Sequence, residues 1–164
     1  MWKRSFLMMA VTESSILVQS MTQEDLPGVC VLEAEIFPDP WSRKIYEDTL
    51  VNSLYDCRVI RQSEGQRGRS VMGYLCAQVA AGEAELHRIA VHPEYRGRGY
   101  GQALLEDFLQ RAAEAGAETA FLEVRAGNHP AISLYIKNGF VRLGVRTDYY
   151  RNPREDAVLF QRKL

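Results

Sequence analysis

Hydrophobic positions along this chain switch repeatedly between alternating and helical spacing, and each switch marks a new element. Ile16 to Met21 reads as a short strand. Thr22, with Asp25 three residues on, makes a capping-box-like start to a helix running towards Phe37, and Pro38-Asp39-Pro40 ends it. Ser42 caps a second helix carrying Ile45, Tyr46, Thr49 and Leu50 on one side, closed by Asn52-Ser53. Leu54 to Arg61 and Val71 to Ala81 read as strands joined by a Gly/Ser/Arg-rich hairpin loop, Gln62 to Ser70, and Glu83 to Val91 is a third strand of this run. Leu104, Leu105, Phe108, Leu109 and Ala112 place a helix over Gly101 to Ala115, with Gly116 as its C-terminal cap. Thr119 to Arg125 is a strand, and Asn128 can cap a helix carrying Ile132, Leu134 and Tyr135 that Asn138-Gly139 stops. Phe140 to Thr147 and Ala157 to Lys163 complete the sheet. One mixed α/β sheet flanked by helices accounts for the pattern.

Composition narrows the function classes. At 164 residues the chain is long enough for one domain with one good core, and 46% apolar with 25% charged residues reads as globular. Twenty basic against 21 acidic groups remove the electrostatic case for direct nucleic-acid binding. Three scattered cysteines, Cys30, Cys57 and Cys76, and three histidines, His87, His92 and His129, have neither disulfide-framework nor metal-site spacing, so no metal is expected. His92 and His129 each lie beside a proline and read as surface residues. The apolar run Phe6 to Val11 is too short for a leader, and no stretch approaches the roughly 20 apolar residues of a membrane span. The expectation is a cytoplasmic protein with no membrane contact, an N-terminal extension over residues 1–14 and one domain over residues 15–164.

The sharpest chemical signal is Arg96-Gly97-Arg98-Gly99-Tyr100-Gly101, between a strand and a helix. A glycine turn at a helix start leaves backbone N–H groups aimed at an anion, and glycines permit φ > 0 and close approach of a pyrophosphate. A Walker loop requires Gly-Lys-Ser/Thr, but Gln102 and Ala103 follow Gly101; a dinucleotide fingerprint requires GxGxxG, and Leu104 stands where its last glycine belongs. A surface turn with solvated arginines explains the hexamer alone equally well.

Its spacing does meet Arg/Gln-x-x-Gly-x-Gly/Ala, through Arg96, Gly99 and Gly101, and so resembles the acetyl-CoA loop of GNAT N-acetyltransferases. Downstream, Phe121-Leu122-Glu123-Val124-Arg125, Asn128, and Tyr135 with Gly139-Phe140 follow in that family's order. The match looks closest to the RimI-like ribosomal-protein-alanine N-acetyltransferases, through Phe37-Pro38, Trp41-Ser42, Ile89-Ala90-Val91, Leu122 to Ala126, Ala131-Ile132, Leu134-Tyr135, Tyr149-Tyr150 and Glu155-Asp156-Ala157. The Asp39-Pro40 step departs from that pattern.

The resemblance implies a GNAT fold with a mostly antiparallel mixed sheet, acetyl-CoA as cosubstrate, and the N-terminal α-amine of a protein, a ribosomal protein beginning with alanine, as acceptor. A GNAT enzyme acting on a small amine or a lysine side chain is the second reading, and a non-catalytic CoA-binding module the third. The resemblance assigns Glu123 as general base, acting through water; a salt bridge to Arg125 is the plain alternative. It assigns Tyr135 as general acid, and a phenol of pKa ~10 does stay protonated at neutral pH. A core aromatic is the alternative there. Backbone of Ile89, Ala90 and Val91 is expected to pair with the pantetheine arm, and Gly97, Arg98, Gly99, Tyr100, Gly101 and Gln102 to hold the pyrophosphate. Asn128 is either a pantetheine partner or a helix cap. The acceptor slot is expected between Phe37 to Trp41 and Asp148 to Tyr150, lined by Phe37, Trp41, Tyr149 and Tyr150. Glu33, Glu35, Asp39, Glu47 and Asp48 near it suggest a basic peptide, though a solvated helix face explains the same charges.

Overall fold

The computed structural model describes residues 16–62 and 70–164. The expected extension over residues 1–14 lies outside them, as does most of the Gln62 to Ser70 loop, whose ends are joined by the Gln62 N–H donating to the Ser70 carbonyl at 2.9 Å. The strands are β1 (Gln19–Ser20), β2 (Tyr55–Arg61), β3 (Val71–Ala80), β4 (Glu83–Val91), β5 (Thr119–Arg125), β6 (Val141–Arg151) and β7 (Arg154–Lys163). The helices are α1 (Leu26–Ile36), α2 (Arg43–Val51), α3 (Tyr100–Glu114) and α4 (His129–Lys137).

The seven strands form one sheet in the order β1-β2-β3-β4-β5-β7-β6. Every neighbouring pair is antiparallel except β4 and β5, which α3 connects as a crossover. Strand alternation assigns the two faces. Leu75, Ala77, Ala84, Leu86, Ala120, Leu122 and Val124 pack against α3 and α4, through Leu104, Leu105, Phe108 and Tyr135. Cys57, Val59, Tyr74 and Cys76 pack against α1 and α2, through Leu26, Val29, Leu32 and Tyr46. The five apolar positions predicted for α3 are all buried, as a helix with one stripe on a sheet requires.

Three expectations change. The first strand shortens to Gln19–Ser20, because only those residues find partners, Val59 and Arg58 on β2. The first helix begins as a 3-10 turn over Gln23–Asp25: Asp25 accepts from the Thr22 N–H at 2.7 Å, so the capping box forms, and α1 proper starts at Leu26 with Pro27 in its first turn. The last hairpin is much longer than expected. β6 continues through Thr147 to Arg151 and β7 starts at Arg154, so Asp148 to Tyr150 belong to a strand and not to the connecting turn. Their register explains the low apolar content there. Arg146 faces Ala157 and Tyr150 faces Glu155, so Thr147, Asp148 and Tyr149 stand opposite Asp156 alone. This wide bulge, with Asp148 at φ 53, re-aims the two tyrosines. The Asp156 carboxylate holds it by accepting from the Asp148 N–H at 2.8 Å.

Candidate active site

The sheet opens at its one parallel junction. β4 and β5 pair from Glu83 with Thr119 to Leu86 with Leu122, and no rung follows among the described residues. Just there β4 carries a bulge: Cys76 faces Arg88 and Ala77 faces Leu86, which leaves His87 unopposed and turns both His87 and Arg88 towards α1 and α2. A cavity of about 450 Å³ fills the opening. It is lined by Ile89, Glu123 and Arg125 on the strands, Asn128 and Tyr135 of α4, Phe37 and Trp41 before α2, and Tyr149 and Tyr150 of β6. Eight predicted site residues therefore meet in one place.

The glycine loop lies beyond the end of β4. Arg96 Nε donates to the Val91 carbonyl at 3.1 Å, which ties the loop to the strand. Gly97 and Gly99 have φ of 74° and 86°, a region where a side chain is strained, and Gly99 is the N-cap of α3. The first helical bond runs from the Ala103 N–H to the Gly99 carbonyl, so the N–H groups of Tyr100, Gly101 and Gln102 precede it at the positive end of the helix. The Gln102 side chain is held by Asn138 and Glu106, at 2.8 and 2.6 Å; what Gln102 offers an anion is its backbone. Arg98 is exposed, its guanidinium 5.8 Å from the Tyr95 ring centroid. Ala90 is buried on the α1–α2 side, opposite Tyr74, while Ile89 and Val91 pack towards α3. Asn128 caps α4, accepting from the Ala131 N–H at 3.3 Å.

Glu123 keeps a partly exposed carboxylate, and its salt bridge is with Arg146 on β6, at 2.6 Å, not with Arg125. Arg125 is held elsewhere, by the carbonyls of Asn152 and Pro153 at 2.9 and 3.0 Å and by the Tyr150 ring 4.1 Å from its guanidinium. Tyr149 also hydrogen-bonds to Glu123, and that bond, with some burial, raises the Tyr149 phenol above its ordinary value. Tyr135 is 4% exposed, with Phe140 and Phe160 packed against its ring. Burial pushes its phenol well above 10, so it keeps its proton throughout the neutral range. No hydrogen bond holds that hydroxyl among the described residues, although the residue lines the cavity.

Glu33 was expected among acidic groups at the entrance and is instead fully buried. It accepts from the hydroxyls of Tyr46 (2.8 Å) and Tyr74, from Arg88 Nε at 3.0 Å, and from the Trp41 N–H at 2.8 Å. The spacing Leu26, Val29, Glu33 does put this carboxylate on the buried stripe of α1, and that was the available signal. Phe37 and Trp41 sandwich the Arg88 guanidinium at 4.7 and 4.8 Å from their centroids, so both aromatics are packed as well as lining the cavity. Of the other acidic residues, Glu47 and Asp48 pair with Arg43 and Lys44 along α2, and Asp39 lies 3.8 Å from Arg125 across the slot. His87 was not singled out by its sequence context. Its ring packs on Trp41 and Tyr55, its Nε2 is buried without a partner, and burial lowers its pKa despite Glu85 nearby.

Residues 26–140 match the model of the acetyltransferase (GNAT) family. The chain belongs to that family. A Bacillus subtilis relative named putative [ribosomal protein bS18]-alanine N-acetyltransferase is 32% identical over 142 residues, covering 87% of this chain and 91% of that one. The Escherichia coli [ribosomal protein bS18]-alanine N-acetyltransferase is 35% identical over 144 residues, 87% and 93% of the two chains. A crystal structure of the ribosomal-protein-S18-alanine N-acetyltransferase from Escherichia coli superposes with a TM-score of 0.79 at 32% identity, covering 90% and 92%. Within the GNAT family the chain is thus most like the RimI type, and its mixed seven-stranded sheet with four helices is the fold of those enzymes. Among the described residues no cluster of His, Cys, Asp or Glu could hold a metal ion, and no helix is long and apolar enough to cross a membrane.

Proposed function

We propose that this protein transfers the acetyl group of acetyl-CoA to the N-terminal α-amine of a protein, with an alanine-initiated ribosomal protein as the acceptor class. The observation that carries the reading is the opening between β4 and β5. There a partly exposed carboxylate and a buried, protonated phenol face one cavity, next to a glycine-rich helix start. The N–H groups of Tyr100, Gly101 and Gln102 with φ-positive Gly97 and Gly99 suit a pyrophosphate, and the strand edge at Ile89 to Val91 suits an extended amide arm. Those residues would hold acetyl-CoA, which when bound supplies an electrophilic carbonyl and a thiolate leaving group.

The chain's own residues then have separate tasks. An α-amine of pKa ~8 is about one-tenth free base at neutral pH, so Glu123 needs only to receive, through water, the proton released as nitrogen bonds to the carbonyl carbon. Arg146 and Tyr149 hold that carboxylate in place. The Tyr135 hydroxyl donates a hydrogen bond to the departing sulfur as the carbon–sulfur bond breaks. Because a phenol above 10 is a weaker acid than a thiol of about 8.5, its contribution lies in stabilising the developing negative charge, with water supplying the final proton. Arg88, fixed by Glu33, carries Phe37 and Trp41 and so sets the width of the acceptor side. The names of the RimI-type relatives support the acceptor class, and a cytoplasmic location would bring acceptor and enzyme together.

The test is incubation with acetyl-CoA and a peptide beginning Ala-Arg, alongside the same peptide with a blocked N-terminus, lysine side chains and small polyamines. Acetylation confined to the unblocked α-amine is the expected result. Comparable turnover of lysine or polyamine would overturn the acceptor assignment.

A further inference from the structure

On the sheet face that α1 and α2 leave uncovered, a second cavity of about 380 Å³ begins at Glu123. It shares Glu85, Leu122 and Glu123 with the cavity described above, so the two adjoin. Its floor is apolar, with Phe121 and Leu159 on central strands and Leu143 on β6. One wall is acidic. Gln78 pairs across β3 and β4 with Glu85, and Ala80 with Glu83, which stands both carboxylates on this face. Glu83 and Glu85 are exposed; Glu85 reaches only His87, at 4.0 Å, and Glu83 has no ion-pair partner among the described residues. The single cation in the trench, Arg146, is engaged by Glu123.

The slot between the α1–α2 connection and the β6–β7 hairpin differs in every respect. Its groups are partnered to one another: Asp39 with Arg125, Arg125 with Tyr150, and Phe37 and Trp41 with Arg88. A polypeptide whose amine reaches Glu123 finds unpaired, charged and apolar surface on the trench side.

We propose that this trench binds the acceptor chain downstream of its first residue, and that Glu85 and Glu83 select cationic side chains there. The proposal rests on the reading above that the acceptor is a polypeptide N-terminus. Register sets the positions. From Glu123 to Phe121, which pairs with Glu85, is about 7 Å along β5, the span of two extended residues, and Thr119, which pairs with Glu83, lies about 7 Å further. Glu85 therefore reads positions 2 and 3 of the acceptor, and Glu83 positions 4 and 5. Two carboxylates in a partly enclosed trench give a preference that is electrostatic, so it weakens with salt.

The experiment places a single arginine, or its uncharged isostere citrulline, at each of positions 2 to 5 of an alanine-initiated peptide and measures kcat/KM. The wild type is expected to favour arginine roughly 3- to 5-fold at low salt, through KM, on the scale of exposed ion pairs. Glu85→Gln should bring the ratio at positions 2 and 3 to within twofold, and Glu83→Gln that at positions 4 and 5. The ratio is taken within each variant against its own citrulline peptides, and an unchanged Tm reports intact folding. Glu85→Lys should favour glutamate at position 2. Unchanged ratios in both glutamine variants would overturn the trench assignment while leaving N-terminal acetylation standing. Absence of α-amine acetylation in the wild type on every peptide would overturn both.

Discussion

From Val91 to Gln102 the proposed acetyl-CoA wall, beyond the end of the cavity, is a single stretch of backbone, shaped by two left-handed glycines and a helix start. The walls of the cavity itself are assembled from side chains far apart in sequence: Glu33 of α1 with Arg88 of β4, Asp39 with Arg125, and Glu123 with Arg146. Backbone geometry survives most side-chain substitutions, whereas a network of charges fails when one member is lost. The glycine-loop wall should therefore be mechanically independent of the carboxylate-built wall, and each can be broken alone.

The largest effect is expected at Glu33. It is fully buried and satisfies two phenols, a guanidinium and the Trp41 N–H, so Glu33→Ala leaves a partly buried cation and three donors without an acceptor. That costs about 3–5 kcal/mol, a fall in Tm on the order of 10 °C by thermal unfolding. Glu33→Gln, which keeps one acceptor oxygen, should fall between. If the walls are independent, affinity for acetyl-CoA stays within about threefold in the glutamine variant while the acceptor KM rises. Equal loss on both sides would refute that independence.

Next in size are the two groups proposed to take part in the reaction. Glu123→Gln should lower kcat about 10²- to 10⁴-fold with Tm nearly unchanged, because the carboxylate is partly exposed and its partner Arg146 can turn to solvent. Tyr135→Phe should lower it less, about 10- to 100-fold, as the loss of one hydrogen bond to a developing charge. Wild-type turnover in both variants would sink the proposed roles.

Acid probes an ion pair that belongs to neither wall, Asp25 with Arg61. Burial favours the neutral Asp25 carboxyl, but the hydrogen bonds from Arg61, at 2.7 and 2.6 Å, and from the Thr22 N–H outweigh it and lower its pKa. A depressed folded-state pKa stabilises the fold above the unfolded value of about 4, and that stability is lost as pH falls through the folded value. Asp25→Asn should therefore reduce stability at pH 7 and flatten its decline below about pH 4, in urea titrations across pH. An unaltered decline would assign acid sensitivity to other carboxylates.

The contrast between the walls also explains what the sequence made legible. The helix and strand of the glycine loop and the α3 stripe could be read because each rests on local spacing and backbone chemistry, whereas Glu123, Asn128 and Tyr135 were singled out by the resemblance to GNAT enzymes. The partner of Glu123 could not, because Arg146 comes to it only through the β6–β7 register, and the nearer Arg125 looked equally plausible. Glu33 was misread for the same reason: a helix pattern says that a position is buried, but not which phenols and which arginine meet it there. The bulge at Thr147 to Tyr149 replaced an expected turn with strand because a two-residue excess in register leaves little trace in hydrophobic alternation.

The smallest expected effect lies within the glycine loop and tests whether backbone shape is what that wall supplies. Gly99 sits at φ 86°, and a Cβ there meets only the Ile16 side chain, at 3.7 Å, so Gly99→Ala is opposed by conformation and not by space. Its cost is about 1–2 kcal/mol in stability. Because relief of that strain would turn the helix-start N–H groups, affinity for acetyl-CoA should weaken by a similar factor, about 5- to 30-fold in calorimetry. Gly101, two residues on and inside α3, has an ordinary φ, and a Cβ there makes normal contacts with Leu134 and Val91 at 3.5 and 3.8 Å. Gly101→Ala should therefore be neutral or stabilise the helix by up to about 1 kcal/mol. Any loss of acetyl-CoA affinity in that variant would then report a ligand passing within a methyl group of the helix start, whereas the same loss in Gly99→Ala would report the turn. Equal effects from both would mean that close approach, and not the left-handed turn, is what the glycines provide.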